Sequence, residues 1–181
     1  AQDACGLFTP RLNLRVGGRN PQMLMGRALV LSDAAHSFGA RFKDKPLGMQ
    51  ADITGFSFHA VKNLTTAEGG AITFNLPEPF VMDDIYAWFN MMSLHGQSKD
   101  ALAKSKAGGW RYDVAMAGHK CNMTDLQAAI GLVELERYDR ETLPRRKAIC
   151  ERYHAAFVND DHFLAPVLKD DVRESSYHLY M

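Results

Sequence analysis

The 181-residue sequence has only three cysteines, Cys5, Cys121 and Cys150, odd in number and widely scattered. No CxxC pair occurs, and His119, two residues before Cys121, lacks companions at zinc-finger spacing. Neither a disulfide framework nor a cysteine-based metal site is expected, and the thiols read as packing residues of a reduced, cytoplasmic protein. No apolar run approaches the roughly 18 residues of a membrane span, and no basic-then-apolar leader opens the chain, so no membrane partner is expected. An excess of one charge is missing too, because 21 Lys plus Arg balance 21 Asp plus Glu. Without a global basic field, nucleic acid is not an expected partner. Internal repeats and low-complexity tracts are absent. With 46% hydrophobic and 10% aromatic residues, the composition is that of a chain that can bury a core. The first residue is Ala rather than Met, which suggests processing or a fragment.

Residues 1–27 are punctuated by Pro10, Gly17, Gly18, Pro21 and Gly26, with Arg11, Arg15 and Arg19 at four-residue spacing, so any helix there is short or broken. Ala28 to Ser32 reads as a short buried strand ending at Asp33, of the unalternating kind found inside parallel sheets. Residues 53–58 and 71–74 are two further strands, separated by a polar loop from His59 to Gly70. Asp84 to Leu94 reads as a helix. A long polar connection follows over residues 96–118, with Lys99, Lys104, Lys106, Gly108, Gly109 and Arg111. Thr124-Asp125-Leu126-Gln127 is a capping box that starts a helix with Leu126, Ala129, Ile130 and Val133 on one face. A second helix over roughly 142–158 aligns Ile149, Tyr153, Ala156 and Phe157, with Pro144 in its first turn. Tyr177 to Met181 reads as a strand just beginning. Strands followed by helices point to α/β.

Two segments carry the chemistry. Ser32-Asp33-Ala34-Ala35-His36-Ser37-Phe38-Gly39-Ala40 sets a carboxylate at a strand end, where α/β folds gather ligand-binding groups. Ser57-Phe58-His59-Ala60-Val61-Lys62-Asn63-Leu64-Thr65-Thr66-Ala67-Glu68-Gly69-Gly70 sets a lone lysine in a loop after another strand. Taken singly, Asp33 is a turn residue or cap, His36 a satisfied polar residue, and Lys62 a solvated charge. Thr65, Thr66 and Glu68 shape the loop, and Gly69 and Gly70 permit a tight turn. Together and in this order, the two segments resemble the DegT/StrS-type nucleotide-sugar aminotransferases, fold-type I pyridoxal-phosphate enzymes. A third segment, Gly118 to Gly131, resembles that family's stretch leading into a helix. The three matches cover most of residues 28–140.

That resemblance implies an α/β fold in which residues 1–140 form the second part of a large PLP-binding domain. Its mostly parallel sheet would be flanked by helices, with 141–160 a connecting helix and 161–181 the start of a small C-terminal domain. It implies pyridoxal 5'-phosphate, tethered to the Lys62 amine, which also shuttles the substrate proton. Asp33 would hold the pyridine nitrogen protonated, His36 would lie by the ring face or its 3-hydroxyl, and Ser57 would donate to the phosphate. The implied reaction turns a keto group of a nucleotide-linked deoxysugar into an amine, with glutamate as donor, in a homodimer. Residues 118–124 would then reach a partner's cofactor phosphate. There this chain has Lys120 where many members have Asn, and Asn122 where many have Arg. Whether Lys120 or Asn122 meets phosphate, or Asn122 caps the helix, is left open. Lys62 argues against the family's dehydratases, which replace that Lys with His. The His36 form resembles members acting at the 4-keto position of UDP-sugars. Family members are about twice this long and carry a phosphate-binding Gly/Thr turn that does not precede Asp33 here. The alternative reading is a non-catalytic PLP-fold fragment or interaction module.

Overall fold

A computed structural model describes residues 21–98 and 112–181. The expectations for Cys5, for the arginines and glycines before residue 20, and for Lys99 to Arg111 lie outside the described residues. Two compact units result, one containing residues 30–75 and 123–181, the other residues 76–122 with the segment before residue 30.

In the first unit, β1 (Leu31–Asp33), β4 (Ile53–Ser57) and β5 (Gly70–Phe74) form one sheet in the order β1-β4-β5. β1 and β4 are parallel, whereas β4 and β5 are antiparallel. β2 (Arg41–Phe42), β3 (Lys45–Pro46) and β6 (Arg173–Glu174) form a second sheet that is wholly antiparallel. The mostly parallel sheet expected from the resemblance is therefore not what the described residues form. The reason is in the connections. For β5 to run parallel to β4 a crossover would be needed, but residues 58–69 fold back on themselves, with Phe58 N–H donating to Gly69 C=O at 2.8 Å. The β2–β3 turn has Lys43 and Asp44 both at positive φ, 48° and 60°, as a two-residue type I′ hairpin requires.

The start of the main sheet is pinned by Asp52, only 4% exposed. Its Oδ2 accepts from Val30 N–H at 2.8 Å and its C=O from Asn75 N–H at 2.8 Å. β1 is shorter and more exposed than its composition suggests, since Val30 and Leu31 are 54% and 67% exposed. The opposite face of the sheet is the covered one: Thr54 is fully buried, and Phe56 sits edge-on to Phe38. Phe38 also meets Phe58 and Tyr138 edge-to-face, at 5.6 Å and 4.9 Å between centroids. This aromatic cluster is the heart of the unit.

α3 (Asp125–Arg137) starts at the expected capping box, with Thr124 Oγ1 accepting from Gln127 N–H and Gln127 Oε1 accepting from Thr124 N–H. It runs through a π-helical turn, Tyr138–Thr142, straight into α4 (Leu143–Phe157). The apolar stripe of α3 is exposed rather than covered in this chain: Leu126 is 81% and Val133 55% exposed. Residues 177–181 are not a strand. Tyr177 takes a φ of +54°, outside the extended region, and the Ser176 carbonyl is bonded by a side chain instead of a neighbouring strand.

The second unit holds α1 (Pro21–Met25) and α2 (Met82–Ser93). Asp83 and Asp84 lie in the first turn of α2, where the helix dipole favours negative charge. Ile85 is buried, and Trp88 sits edge-on to Phe89. Bridges pair Leu94 with Lys120 and Gln97 with Val114, which brings Gly96 against Gly118. Among the described residues no helix is long and apolar enough to cross a membrane.

Candidate functional site

Strand register assembles the centre of the site. Asp33 pairs with Gly55, and Ser57 lies two residues beyond Gly55 on the same strand. Side chains alternate along a strand, so Asp33, Gly55 and Ser57 share the exposed face of the sheet. A shallow concavity of about 420 Å³ lies there, lined by Leu31, Ser32, Asp33, Ala35, Gly55, Phe56 and Ser57. Gly55 has nothing within 4 Å of where a Cβ would stand, so its lack of a side chain keeps the middle of this surface open.

The two polar groups each keep capacity for a ligand. Asp33 Oδ1 accepts from Ala35 N–H at 3.1 Å, an Asx turn that closes the strand end. Oδ2 is the second acceptor of that carboxylate. Ser57 Oγ accepts from His59 N–H at 3.4 Å, which leaves the hydroxyl hydrogen to donate. The arrangement suits a flat ring with a basic nitrogen near one group and an anionic substituent near the other.

Lys62 is half-buried on the loop after β4 and is not one of the residues lining the concavity. Its loop is tied back at several points. Lys62 N–H donates to His59 C=O at 2.9 Å, Thr66 N–H to Phe58 C=O at 2.9 Å, and Thr66 Oγ1 to Glu68 C=O at 2.8 Å. His59 and Glu68 lie 3.5 Å apart across the loop, but with side chains 47% and 72% exposed they add little. Gly131 of α3 packs so near Thr66 that a Cβ there would stand 2.8 Å from its methyl group. Thr66 and Thr65 shape the loop through their hydroxyls, Thr65 Oγ1 accepting from Ala67 N–H at 3.0 Å, while Glu68 contributes its backbone carbonyl.

His36 sits on the loop after β1, and its ring packs against His178, with centroids 4.5 Å apart. Its carbonyl accepts from Ser176 Oγ at 2.6 Å. Lys120 and Asn122 belong to the other unit, where both are exposed and Lys120 Nζ donates to Asn122 Oδ1. The cap of α3 is Thr124, not Asn122.

Three residues without a role in the sequence reading stand beside Lys62. Asn63 is 5% exposed, Tyr138 3%. Tyr138 Oη donates to Phe38 C=O at 2.7 Å, and burial pushes its phenol pKa up. Burial foremost, and the charges of His36, Arg146 and Lys62 after it, hold the imidazole of His178 below its usual pKa. The sequence signal for this group is only an Asn directly after the loop Lys. Among the described residues, no cluster of His, Cys, Asp and Glu could hold a metal ion.

A family model described as the DegT/DnrJ/EryC1/StrS aminotransferase family matches residues 26–181. The spore coat polysaccharide biosynthesis protein SpsC of Bacillus subtilis is 42% identical over 153 residues, covering 84% of this chain and 37% of that protein. The UDP-4-amino-4,6-dideoxy-N-acetyl-beta-L-altrosamine transaminase of Campylobacter jejuni is 31% identical over 151 residues, 83% of this chain and 36% of its own. The PMP-form of Spr1654 from Streptococcus pneumoniae superposes with a TM-score of 0.81 at 45% identity, covering 90% of this chain and 40% of that one. The chain thus spans little more than a third of the length of the curated relatives it matches.

Proposed function

Because the chain belongs to the DegT/DnrJ/EryC1/StrS aminotransferase family, we propose that it carries the catalytic lysine of a pyridoxal-phosphate-dependent enzyme that converts a keto group of a nucleotide-linked deoxysugar to an amine. The observation that carries this reading is the shared sheet face of Asp33, Gly55 and Ser57, with the Lys62 loop leaving the same strand. Spr1654 has solved PLP and PMP forms, which supports the cofactor.

When bound, the cofactor supplies a sink for the electrons released at the substrate carbon. The chain's own residues do the rest. The Asp33 carboxylate would hold a proton on the ring nitrogen by charge pairing. Ser57 Oγ would donate its hydrogen to the phosphate, and His36, on the loop after Asp33, would lie by the ring. The Lys62 amine would tether the cofactor and carry the proton at the substrate carbon.

Glutamate is the amino donor, and the substrate is a UDP-sugar with a 4-keto group. That preference rests on His36 and on the UDP-4-amino sugar named for the Campylobacter relative. The working unit is a cytoplasmic homodimer in which Lys120 and Asn122 serve the partner's phosphate. Residues 1–140 belong to its large domain, 141–160 connect, and 161–181 open the small domain.

The central test is spectroscopic. The intact protein should develop a visible absorbance band with pyridoxal phosphate, and Lys62→Ala should not; a band retained by the variant would overturn the Lys62 assignment. An amination panel of 3-keto and 4-keto nucleotide sugars tests the substrate, and activity on 3-keto compounds alone would overturn the preference. Mixing Lys62→Ala protein with a Lys120→Ala/Asn122→Ala double variant should restore activity, since one site of the mixed dimer carries neither defect. Mixed dimers without activity would refute the cross-subunit role.

A further inference from the structure

Asn63 follows Lys62 directly, and its amide is bonded on both sides. Nδ2 donates to the carbonyls of Ser176 at 2.6 Å and Phe38 at 3.2 Å, and lies 3.4 Å from Tyr138 Oη. Backbone carbonyls can only accept, so the amide nitrogen must face them. The Tyr138 hydroxyl agrees with this orientation. Its hydrogen is committed to Phe38 C=O, so toward Asn63 it can only accept. Asn63 Oδ1 is then the acceptor on the other side, where Nδ1 of His178 lies at 2.9 Å. An acceptor facing Nδ1 requires a hydrogen there.

A neutral imidazole carries one N–H, and placing it on Nδ1 makes Nε2 the ring's acceptor. Neutrality is favoured by burial, by His36 tilted against the ring, by Arg146 on α4 and by Lys62 on the neighbouring loop. Arg146 also donates to the His178 carbonyl at 3.4 Å. The same Asn63 bonds join three stretches: the loop after β1, the loop that carries Lys62, and residues 176–178. A side chain with four polar neighbours in a buried setting has essentially one orientation available.

We infer that Asn63 is a positioning residue of the Lys62 site, which anchors the Lys62 loop and locks His178 as the Nδ1–H tautomer with Nε2 presented as an uncharged acceptor beside His36. The functional meaning of this lock rests on Lys62 being the cofactor lysine, but the tautomer itself does not.

The test uses the intact protein with ¹⁵N-labelled histidine, in long-range ¹H–¹⁵N correlation spectra recorded without cofactor, with His178 assigned by its loss in His178→Gln. The expected pattern is a protonated Nδ1 and an unprotonated Nε2. An Nε2–H pattern, or a mixture of both tautomers, overturns the inference. Asn63→Ala should keep the Lys62-dependent absorbance band, lose the single tautomer, and lower kcat by about tenfold or more with a smaller change in KM. A folded Asn63→Ala protein with an unchanged tautomer and unchanged kcat also overturns it. Should that variant fail to fold, the wild-type spectrum decides alone. Failure of the Lys62 assignment would be seen separately, as a band that survives Lys62→Ala.

Discussion

Gly39 and Tyr138 form a tight contact whose energetic coupling can be worked out in advance. Gly39 has a φ of +91°, a conformation that an L side chain adopts only with strain. A Cβ built there would stand 3.1 Å from Cε1 and Cζ of Tyr138 and nearer still to its Oη. Tyr138 cannot move aside, being 3% exposed, edge-on to Phe38 at 4.9 Å, and bonded to Phe38 C=O at 2.7 Å. Gly39→Ala should therefore cost about 1–2 kcal/mol in backbone strain and about 1–3 kcal/mol in overpacking. Tyr138→Phe should cost only about 1 kcal/mol, because the Phe38 carbonyl keeps a second donor in Asn63. In the double variant the nearest clashing atom is gone, so the two costs should fall short of their sum by about 1 kcal/mol. The assay is urea denaturation of the four proteins, read as midpoints at constant m. Additivity to within about 0.5 kcal/mol would refute the contact, since that is how independent sites behave.

Other consequences are equally direct. Gly96→Ala should cost more than about 3 kcal/mol, because its φ is +72° and its Cβ would meet only backbone, Met116 and Gly118, which cannot yield. Gly26→Ala, with a φ of +65° and nothing within 4 Å, is the control that carries strain alone; similar melting temperatures for the two variants would contradict this. Glu174 accepts from Lys169 at 3.0 Å and from Tyr177 Oη at 3.0 Å, with Lys147 at 3.5 Å. The Lys169 bond foremost holds its carboxyl below the usual range. Its contribution is therefore present above the unfolded pKa of 4.5 and lost as pH falls through the lower folded value. Glu174→Gln should thus cost about 1 kcal/mol at pH 7 and nothing in strong acid, by denaturation at the two pH values. His178 acts in the same sense, in a higher pH window. Its folded pKa lies below the unfolded 6.5, so the unfolded chain takes the proton first, and stability falls as pH drops below that value. His178→Phe should be less stable overall yet show a flatter stability profile between about pH 7 and 5; an unchanged slope would contradict the buried neutral ring.

Features that depend on a few consecutive residues are legible in the sequence. The capping box at Thr124 needs only four consecutive residues, and its two reciprocal hydrogen bonds form as the motif requires. Strands at 53–57 and 70–74 follow from short apolar runs between turn residues. Burial is not legible where it depends on what lies opposite. Periodicity groups Leu126, Ile130 and Val133 on one face of α3, but it cannot say what covers that face, and here all three are exposed. The same holds for Leu31 in β1. Residues 177–181 failed as a strand for another reason. Their β-forming composition was overridden by Asn63, which bonds the Ser176 carbonyl from 113 residues away.

The site divides along the same line between local and distant chemistry. Asp33 and Ser57 share one sheet face because two parallel strands pair in register, and both strand ends are legible in the sequence. The setting of the Lys62 loop is not legible in the sequence, because the partners of Asn63 and His36 come from the far end of the chain. Ser176 Oγ bonds the His36 carbonyl, Ser176 C=O takes the Asn63 amide, and His178 Nδ1 faces Asn63 Oδ1. One three-residue stretch thereby ties the loop that follows Asp33 to the loop that carries Lys62. Each of these bonds is buried or partly buried, where an unmade partner costs about 1–3 kcal/mol. Loosening residues 176–178 should therefore disturb both strand-end loops together, even though no side chain in that stretch lines the concavity between Asp33 and Ser57.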